Sequence, residues 1–462
     1  MIGTARFDEI GEAFREGYRQ YEEALSSVDG GKFQVSEEYG GAAENRIAVG
    51  DNLRYMAYLL REGAMEGKIQ LIYVDPPFFS NSKYEASLRL CSEKLGTSKV
   101  LKVGAYDDRK KSGLAGYLAM LTARFFMMRD LLSKSGCLWI HLDWHVVHYV
   151  KVILDGIFGE ENFINEIIWT YKSGGSSKKS FARKHDNLLV YAGGEKYKFR
   201  PLKEKSYNRE MKPYRFKGVE EFRDENGWYT MVNMKDVWSI DMVGRTSSER
   251  NGYATQKPEK LLYRIIEACS DEGDICADFF AGSGTLGTVC QKTGRNWIMC
   301  DRSSLAAASQ IERVGALKGG SFVVEREHRE GCEEAMGKPE VSVKLKGGEG
   351  PVAVTLDRYR LPVGGLVTAE DRGYGGGEVQ AEVERYLADD PLCLVKCWSV
   401  DWDHDGQIHR ASALLPGMER SCQMACEEAA SKAASDGNGA GRIVSVVGYD
   451  VFGGRFETVA WR

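Results

Sequence analysis

The 462-residue chain has no apolar run near the ~18 residues that a membrane-crossing helix needs, so no membrane partner is expected. Its opening residues, MIGTARFDEIGEAF, lack the charged-then-apolar build of a secretory signal. Its eleven cysteines are scattered rather than spaced as a disulfide framework, which predicts reduced thiols and a cytoplasmic location. No internal repeat is visible, which speaks against a solenoid. A G-x-x-x-x-G-K-[ST] phosphate loop is also missing. Strong charge bias is absent too. The formal net charge of −5 argues against a simple nucleic-acid binder, although a whole-chain sum hides local patches.

What is present is ordinary for a soluble protein, with 43% hydrophobic and 28% charged residues. The length suits one large α/β domain and a smaller one. One patch stands out: Lys172 to Lys217 holds fourteen Lys or Arg against four Asp or Glu. Phe181, Tyr191, Tyr197, Phe199, Tyr207, Tyr214 and Phe216 are interleaved with them. Such a run can be a solvated face or a loop. Rings among cations are also what a surface needs to track phosphates and stack bases.

Leu71-Ile-Tyr-Val-Asp-Pro-Pro-Phe-Phe-Ser80 runs an apolar strand into an acid, two prolines and two rings. Ile69 to Val74 reads as a buried parallel strand. Pro76 and Pro77 cannot extend a ladder, and each turns the residue before it away from helix. Asp75 is therefore expected to stand rigidly at a strand's carboxyl end, where open α/β sheets bind ligands.

Helices and strands alternate around this stretch. Residues 6–26 predict a helix, Arg46 to Val49 a strand, and the residues from Asp51 to about Gly63 a helix. Phe78 to about Gly113 is polar and predicts a long irregular loop. Leu118, Leu121, Phe125, Met128 and Leu132 predict an amphipathic helix closed by Ser135-Gly136. A strand (Leu138 to Leu142), a helix to about Phe158 and a strand (Ile164 to Thr170) follow. The pattern resumes at Lys257 with a helix to Cys269, a strand to Phe279, a glycine loop, a helix and the strand Trp297 to Cys300. The fold class is therefore α/β, a doubly wound, mostly parallel sheet carrying an insertion. Beyond about Val324, glycine-rich runs (347–350, 373–377, 436–441) predict a small, mostly β appendage.

Asp278-Phe-Phe-Ala-Gly282-Ser-Gly284-Thr-Leu-Gly287 follows one of those strands, opens a helix and has G-x-G-x-x-G spacing. Asp301 closes the next strand, 23 residues after Asp278, where an acid can accept ribose hydroxyls. A dinucleotide and S-adenosylmethionine fit this pattern equally, and a tight packing turn is the bland alternative. If both strands share one parallel sheet, the two loops open on the same edge. One would hold an adenosine cofactor. The other would hold a flat amine, with NH2 donating to Asp75 and the Pro76 carbonyl and its face on Phe78. Asp51 could accept from the cofactor's adenine or merely cap a helix. Gln256 and Lys257 could reach its carboxylate. His141, Asp143, His145 and His148 do not share one face, and Cys393, Cys397, Cys422 and Cys426 pair too widely for zinc, so no metal is expected.

Asp75-Pro-Pro-Phe78 with Phe280-Ala-Gly-Ser-Gly284 resembles the amino-methylating DNA methyltransferases. The order, tetrapeptide before glycine loop with a variable segment between, looks like their β class. That class includes modification subunits of type III restriction systems and solitary adenine methyltransferases. Gly50-Asp-Asn-Leu53, Trp139-Ile-His-Leu-Asp143 and Thr255-Gln-Lys-Pro258 agree, so the resemblance spans about residues 45–315. It departs at Phe78, where Tyr is commoner, and at Asp301, where Glu is usual.

The resemblance implies a Rossmann-like fold, S-adenosyl-L-methionine as donor and a base flipped from double-stranded DNA. Asp75, Pro76, Pro77 and Phe78 would be catalytic. Asp51, Gln256, Lys257, Asp278, Phe280, Gly282, Ser283, Gly284, Thr285 and Asp301 would bind cofactor. Lys172, Lys178, Lys179, Arg183 and Lys184 would meet DNA. The implied organisation is a helical segment at 1–44, a catalytic half at 45–171 and a target-recognition region at 172–251. A cofactor-binding half at 252–325 and an α+β accessory domain at 326–462 complete it. Asp at the head of the tetrapeptide favours adenine N6 over cytosine N4. A catalytically silent DNA-binding subunit and a nicotinamide dehydrogenase are the readings from other classes, and the second leaves the tetrapeptide unexplained. A nucleoid-associated location, a homodimer and a separate restriction subunit are compatible with the family, and no nuclease site is apparent.

Overall fold

The computed structural model describes residues 5–27, 32–41, 44–79, 83–92, 97–107, 113–172, 178–244, 246–253, 255–317, 320–328, 339–346, 352–360, 376–424 and 443–461. The chain opens with α1 (Ala5–Ser26), β1 (Lys32–Tyr39), β2 (Arg46–Val49), α2 (Asn52–Arg61) and β3 (Ile69–Val74). Next come β4 (Lys83–Ser92), β5 (Thr97–Asp107), α3 (Gly113–Leu131), β6 (Leu132–Leu142), α4 (Val147–Phe158), β7 (Phe163–Thr170) and β8 (His185–Ala192). Strands β9 (Lys203–Tyr207), β10 (Glu221–Asp224) and β11 (Gly227–Asn233) form their own small sheet, followed by β12 (Val237–Ser239). Then α5 (Glu259–Cys269), β13 (Ile275–Asp278), α6 (Thr285–Lys292), β14 (Asn296–Asp301), α7 (Ser304–Gly315) and β15 (Phe322–His328) restore the alternation. The remainder comprises β16 (Glu340–Lys346), β17 (Ala353–Arg360), α8 (Gly376–Asp389), β18 (Val395–Asp401), β19 (His409–Ala411), β20 (Ala413–Pro416), β21 (Ser421–Gln423), β22 (Ile443–Asp450) and β23 (Arg455–Trp461).

Eleven strands make one sheet in the order β12-β7-β8-β6-β3-β13-β14-β2-β15-β1-β19. The run from β6 to β15 is parallel throughout. From β3 the chain passes through α3 to β6 on one side, and from β13 through α6 to β14 on the other. The crevice at such a divergence is where α/β sheets bind ligands. Residues along β3 alternate between two cores. Ile72 and Val74 join α1–α4 on one face, while Leu71 and Tyr73 join α5–α7 on the other. All six residues of β3 are buried, which explains why the strand reads as an apolar run broken only by Gln70.

Several expectations are corrected. The stretch after the tetrapeptide is a β4–β5 hairpin, not an irregular loop. Its Ala86, Leu88 and Leu90 alternate into a core shared with the C-terminal strands. Helix α3 is buried nearly all round rather than amphipathic, because α1 covers its outer face. Gly17 permits that approach: a Cβ there would lie 2.4 Å from Thr122 Cβ. Ser135-Gly136 lies inside β6. Strand β1, within the segment read as helical, pairs with β15, and β8, within the basic segment, sits between β6 and β7. Strand β19 pairs with β1, so the C-terminal part adds the sheet's last strand. The eight cysteines whose side chains are described are free and buried. Cys426 and the glycine runs at 347–350, 373–375 and 436–441 lie outside the described residues. No described helix is long and apolar enough to cross a membrane.

A buried ionic cluster fastens these outer strands. Glu37 of β1, fully buried, accepts from Arg455 Nε at 2.8 Å, Tyr449 Oη at 2.6 Å and Tyr39 Oη at 2.8 Å. Arg326 adds a 3.3 Å contact from β15. Burial alone would raise the carboxyl, but Arg455, Arg326 and Tyr449 outweigh it and bring Glu37 from 4.5 down to about 2. A depressed carboxyl contributes its stability above the unfolded value and loses it as pH falls toward the folded one. Glu37→Gln should therefore cost at most about 3–5 kcal/mol at pH 7, since it removes the fully buried charge that half-buried Arg326 and Arg455 surround and leaves Arg455 with Glu457. Between pH 4.5 and 2 that difference from the parent should shrink. Denaturant midpoints across that range check both points.

Candidate active site

Strands β3 and β13 are neighbours, with Leu71 opposite Cys276 and Ile72 opposite Ala277. Asp75 and the glycine loop therefore leave the same sheet edge side by side. Asp75 is held from two directions. Lys257 Nζ lies 2.5 Å from its Oδ2, and His141 Nδ1 stands 3.6 Å from its Oδ1. The second distance exceeds a hydrogen bond, and Asp75 Oδ1 is buried without a hydrogen-bond partner. One carboxylate oxygen is thus anchored and the other is open. Phe78 is half-buried, with its ring 5.5 Å from that of His141 and 5.1 Å from Lys257 Nζ. Phe79 turns the other way in a left-handed conformation (φ 56) and stacks on Tyr117 at 5.0 Å. Tyr117 Oη donates to the Pro77 carbonyl at 2.6 Å, so α3 fixes the exit of the tetrapeptide.

The glycine loop needs its glycines. Gly282 and Gly284 have φ of 46 and 77, a region that side chains disfavour. A Cβ on Gly284 would also lie 2.9 Å from Gln310 Cγ. Asp278 accepts from Phe280 N at 2.9 Å. Burial pushes the Asp278 carboxyl well up, and the charges of Asp75 and Asp301 add to this against the bond from Phe280. Ser283 Oγ and Thr285 Oγ1 are 3.2 Å apart, and Thr285 Oγ1 donates to the Lys257 carbonyl at 3.1 Å. This bond ties the Lys257 loop to the start of α6.

Four expected cofactor residues have partners within the protein. Asp301 accepts from Gly282 N and Ser303 N, both at 2.8 Å, so it closes the glycine loop from behind. Burial raises its carboxyl against these bonds. Asp51 Oδ1 caps α2 through Leu53 N and Arg54 N, and its Oδ2 faces Arg124 at 3.3 Å. Gln256 spans its own loop, donating to the Glu249 carbonyl at 2.6 Å and accepting from Asn251 N at 3.0 Å. Lys257, expected near a cofactor carboxylate, reaches Asp75.

A buried polar group behind Asp75 was not identified as part of the site from the sequence. His141, wholly buried on β6, meets Tyr73 Oη at 2.9 Å through Nδ1 and Asp186 Oδ2 at 3.1 Å through Nε2. Tyr171 Oη donates to Asp186 Oδ1 at 3.0 Å. The one available signal was an ionisable residue inside the apolar strand Leu138 to Leu142. Nothing local marked Asp186, which reaches the site only because β8 lies beside β6. Asp143 and His145 pair with each other away from His141, with Asp143 Oδ2 2.5 Å from His145 Nδ1.

The basic residues lie on the side of β7 and β8. Lys172, Lys178, Lys179 and Arg183 are exposed and Lys184 is half-buried. The Arg183 guanidinium stacks 3.7 Å over the Trp144 ring, and Phe181 is 98% exposed. An exposed ring in the same segment as exposed cations suits a polyanion carrying flat bases.

Residues 69–311 match the N6/N4 family model described as DNA methylase. The type II methyltransferase M.EcaI of Enterobacter cloacae is 27% identical over 341 residues, covering 60% of this chain and 72% of that protein. M.HpaI of Haemophilus parainfluenzae is 27% identical over 281 residues, covering 59% and 76%. Among solved structures, the M1.HpyAVI–SAM complex aligns at 16% identity over 58% of this chain and 98% of its own, with a TM-score of 0.37. The cytosine-N4-specific PvuII DNA methyltransferase aligns at 13% over 63% and 92%, with a TM-score of 0.40.

Proposed function

The chain belongs to the N6/N4 DNA methylase family, and from that premise we propose that it methylates N6 of an adenine flipped out of double-stranded DNA. The observation that carries the choice of site is Asp75 Oδ1, a buried acceptor with no partner, at the edge shared with the glycine loop. The donor is S-adenosyl-L-methionine, which when bound supplies an electrophilic methyl group on a cationic sulfur. The residues fit it. Gly282 and Gly284 present backbone without Cβ atoms, and Ser283, Thr285, Phe280 and Asp278 line the same loop. Asp301 shapes the loop through Gly282 N, Gln256 braces the loop that enters α5, and Asp51 with Arg124 borders the edge.

Asp75 Oδ1 accepts a hydrogen bond from one N–H of the exocyclic amine, and the Pro76 carbonyl accepts one from the other. Pro77 keeps that carbonyl fixed. Phe78 stacks the base. Holding both N–H bonds orients the nitrogen lone pair, so alignment supplies most of the rate enhancement. Lys172, Lys178, Lys179, Arg183 and Lys184 contact phosphates and steer the duplex. Cleavage of unmodified DNA would belong to a separate restriction polypeptide, and assembly as a homodimer is compatible with this reading.

Single-molecule sequencing of DNA from cells expressing the protein tests it. N6-methyladenine in one recurring sequence context is expected. N4-methylcytosine would reassign the target base, and unmodified DNA together with intact S-adenosylmethionine binding would reduce the protein to a DNA-binding subunit.

A further inference from the structure

We propose that Asp186, Tyr171 and Tyr73 lock buried His141 in its Nε2–H tautomer, and that this lock keeps Asp75 Oδ1 open for the substrate amine. His141 and Asp186 are then positioning residues for the methyl transfer. The inference rests on the reading of Asp75 as the amine acceptor.

The geometry fixes who donates. Nε2 lies 3.1 Å from Asp186 Oδ2, and the other oxygen of that carboxylate already accepts from Tyr171 Oη at 3.0 Å. A carboxylate has no proton to give, so Nε2 must carry one. Burial raises Asp186, but the bonds and charge of His141, then Lys257 and Tyr171, bring it below the usual carboxylate range. On the other side of the ring, Nδ1 lies 2.9 Å from Tyr73 Oη. Burial, with Asp75, Asp278 and Asp186 nearby, keeps the Tyr73 hydroxyl well above its ordinary value, so it retains its proton and donates to Nδ1. With its lone pair engaged by Tyr73 Oη, Nδ1 has no proton to give Asp75 Oδ1 at 3.6 Å, and no bond forms. This accounts for the orphaned oxygen. The ring cannot swing away, because Trp169 meets it edge-on at 5.2 Å and Phe78 borders it at 5.5 Å. A proton on Nδ1 would displace the bond from Tyr73 Oη and put an N–H donor beside Asp75 Oδ1, in competition with the amine.

Asp186→Asn tests this directly. Tyr171 Oη claims the amide oxygen, which turns the amide N–H toward His141 Nε2 and moves the ring proton to Nδ1. The wrong tautomer beside a catalytic group costs as much as ~10⁴-fold in kcat in a serine protease. Here the expected loss is about 10²-fold in kcat, with S-adenosylmethionine affinity within twofold of the parent. Adding Tyr171→Phe frees the amide to turn over and should recover about tenfold, a rescue that a merely structural role would not give. Nitrogen-15 spectra of histidine-labelled protein should show His141 protonated at Nε2 in the parent and at Nδ1 in Asp186→Asn. A parent spectrum with Nδ1 protonated, or Asp186→Asn with full activity, overturns the inference. If the parent methylates DNA and Asp75→Ala does not, only the inference has failed. A parent without activity would instead remove the reading beneath it.

Discussion

Replacing Asp75 by alanine should lower single-turnover methyl transfer by at least about 10³-fold while leaving S-adenosylmethionine binding within a fewfold. Losing one pre-oriented polar contact at a reacting centre typically costs 10²–10³. Asp75 is expected to cost more, because it fixes the amine and also anchors Lys257. The cofactor loop should survive, since its bonds run through Asp301, Gln310 and Thr285 rather than Asp75. Transfer of tritiated methyl to DNA measures the first quantity and calorimetric titration the second. Transfer within tenfold of the parent would remove Asp75 from the mechanism.

The second large effect is expected at Lys257. The sequence suggests a contact to the cofactor's carboxylate, but the ammonium sits on Asp75 Oδ2 and over Phe78. The two assignments separate in kinetics. If Lys257 holds Asp75, Lys257→Met lowers kcat by about 10²-fold and leaves the Kd for S-adenosylmethionine nearly unchanged. Removing one partner of a buried pair strands the other, at roughly 3–5 kcal/mol. If Lys257 holds the carboxylate instead, Kd rises at least tenfold and kcat for bound complex changes little. Lys257→Arg should not rescue, because a planar fork does not replace a point charge in the narrow space between Phe78 and Asp75.

The two halves of the site were legible in the sequence because each is a local device. Prolines after an apolar run and glycines between strand and helix declare themselves within ten residues. What the sequence left unread is everything that depends on neighbours. The adjacency of β3 and β13 joins segments far apart in the chain. Asp186 enters the site only through the insertion of β8 between β6 and β7. The β4–β5 hairpin was read as a loop because its polar residues dominate. The period-two set Ala86, Leu88 and Leu90 was the available signal. In the structure Lys257 meets Asp75 and Asp301 meets Gly282 N, contacts that spacing does not reveal because it locates a loop but not the direction of a side chain.

The pairing of β3 with β13 also sets a timetable for the newborn chain. About two hundred residues separate these central strands. At a synthesis rate of ~5–20 residues per second, β3 waits roughly 10–40 s for its partner. During that interval a strand that is apolar but for Gln70 has an unpaired edge on one side. Contacts of such long sequence separation also slow the search itself. Mutations that loosen the helices packed on β3, such as those at the α1–α3 crossing around Gly17, should therefore be felt first as lost soluble yield, before any change in the finished enzyme.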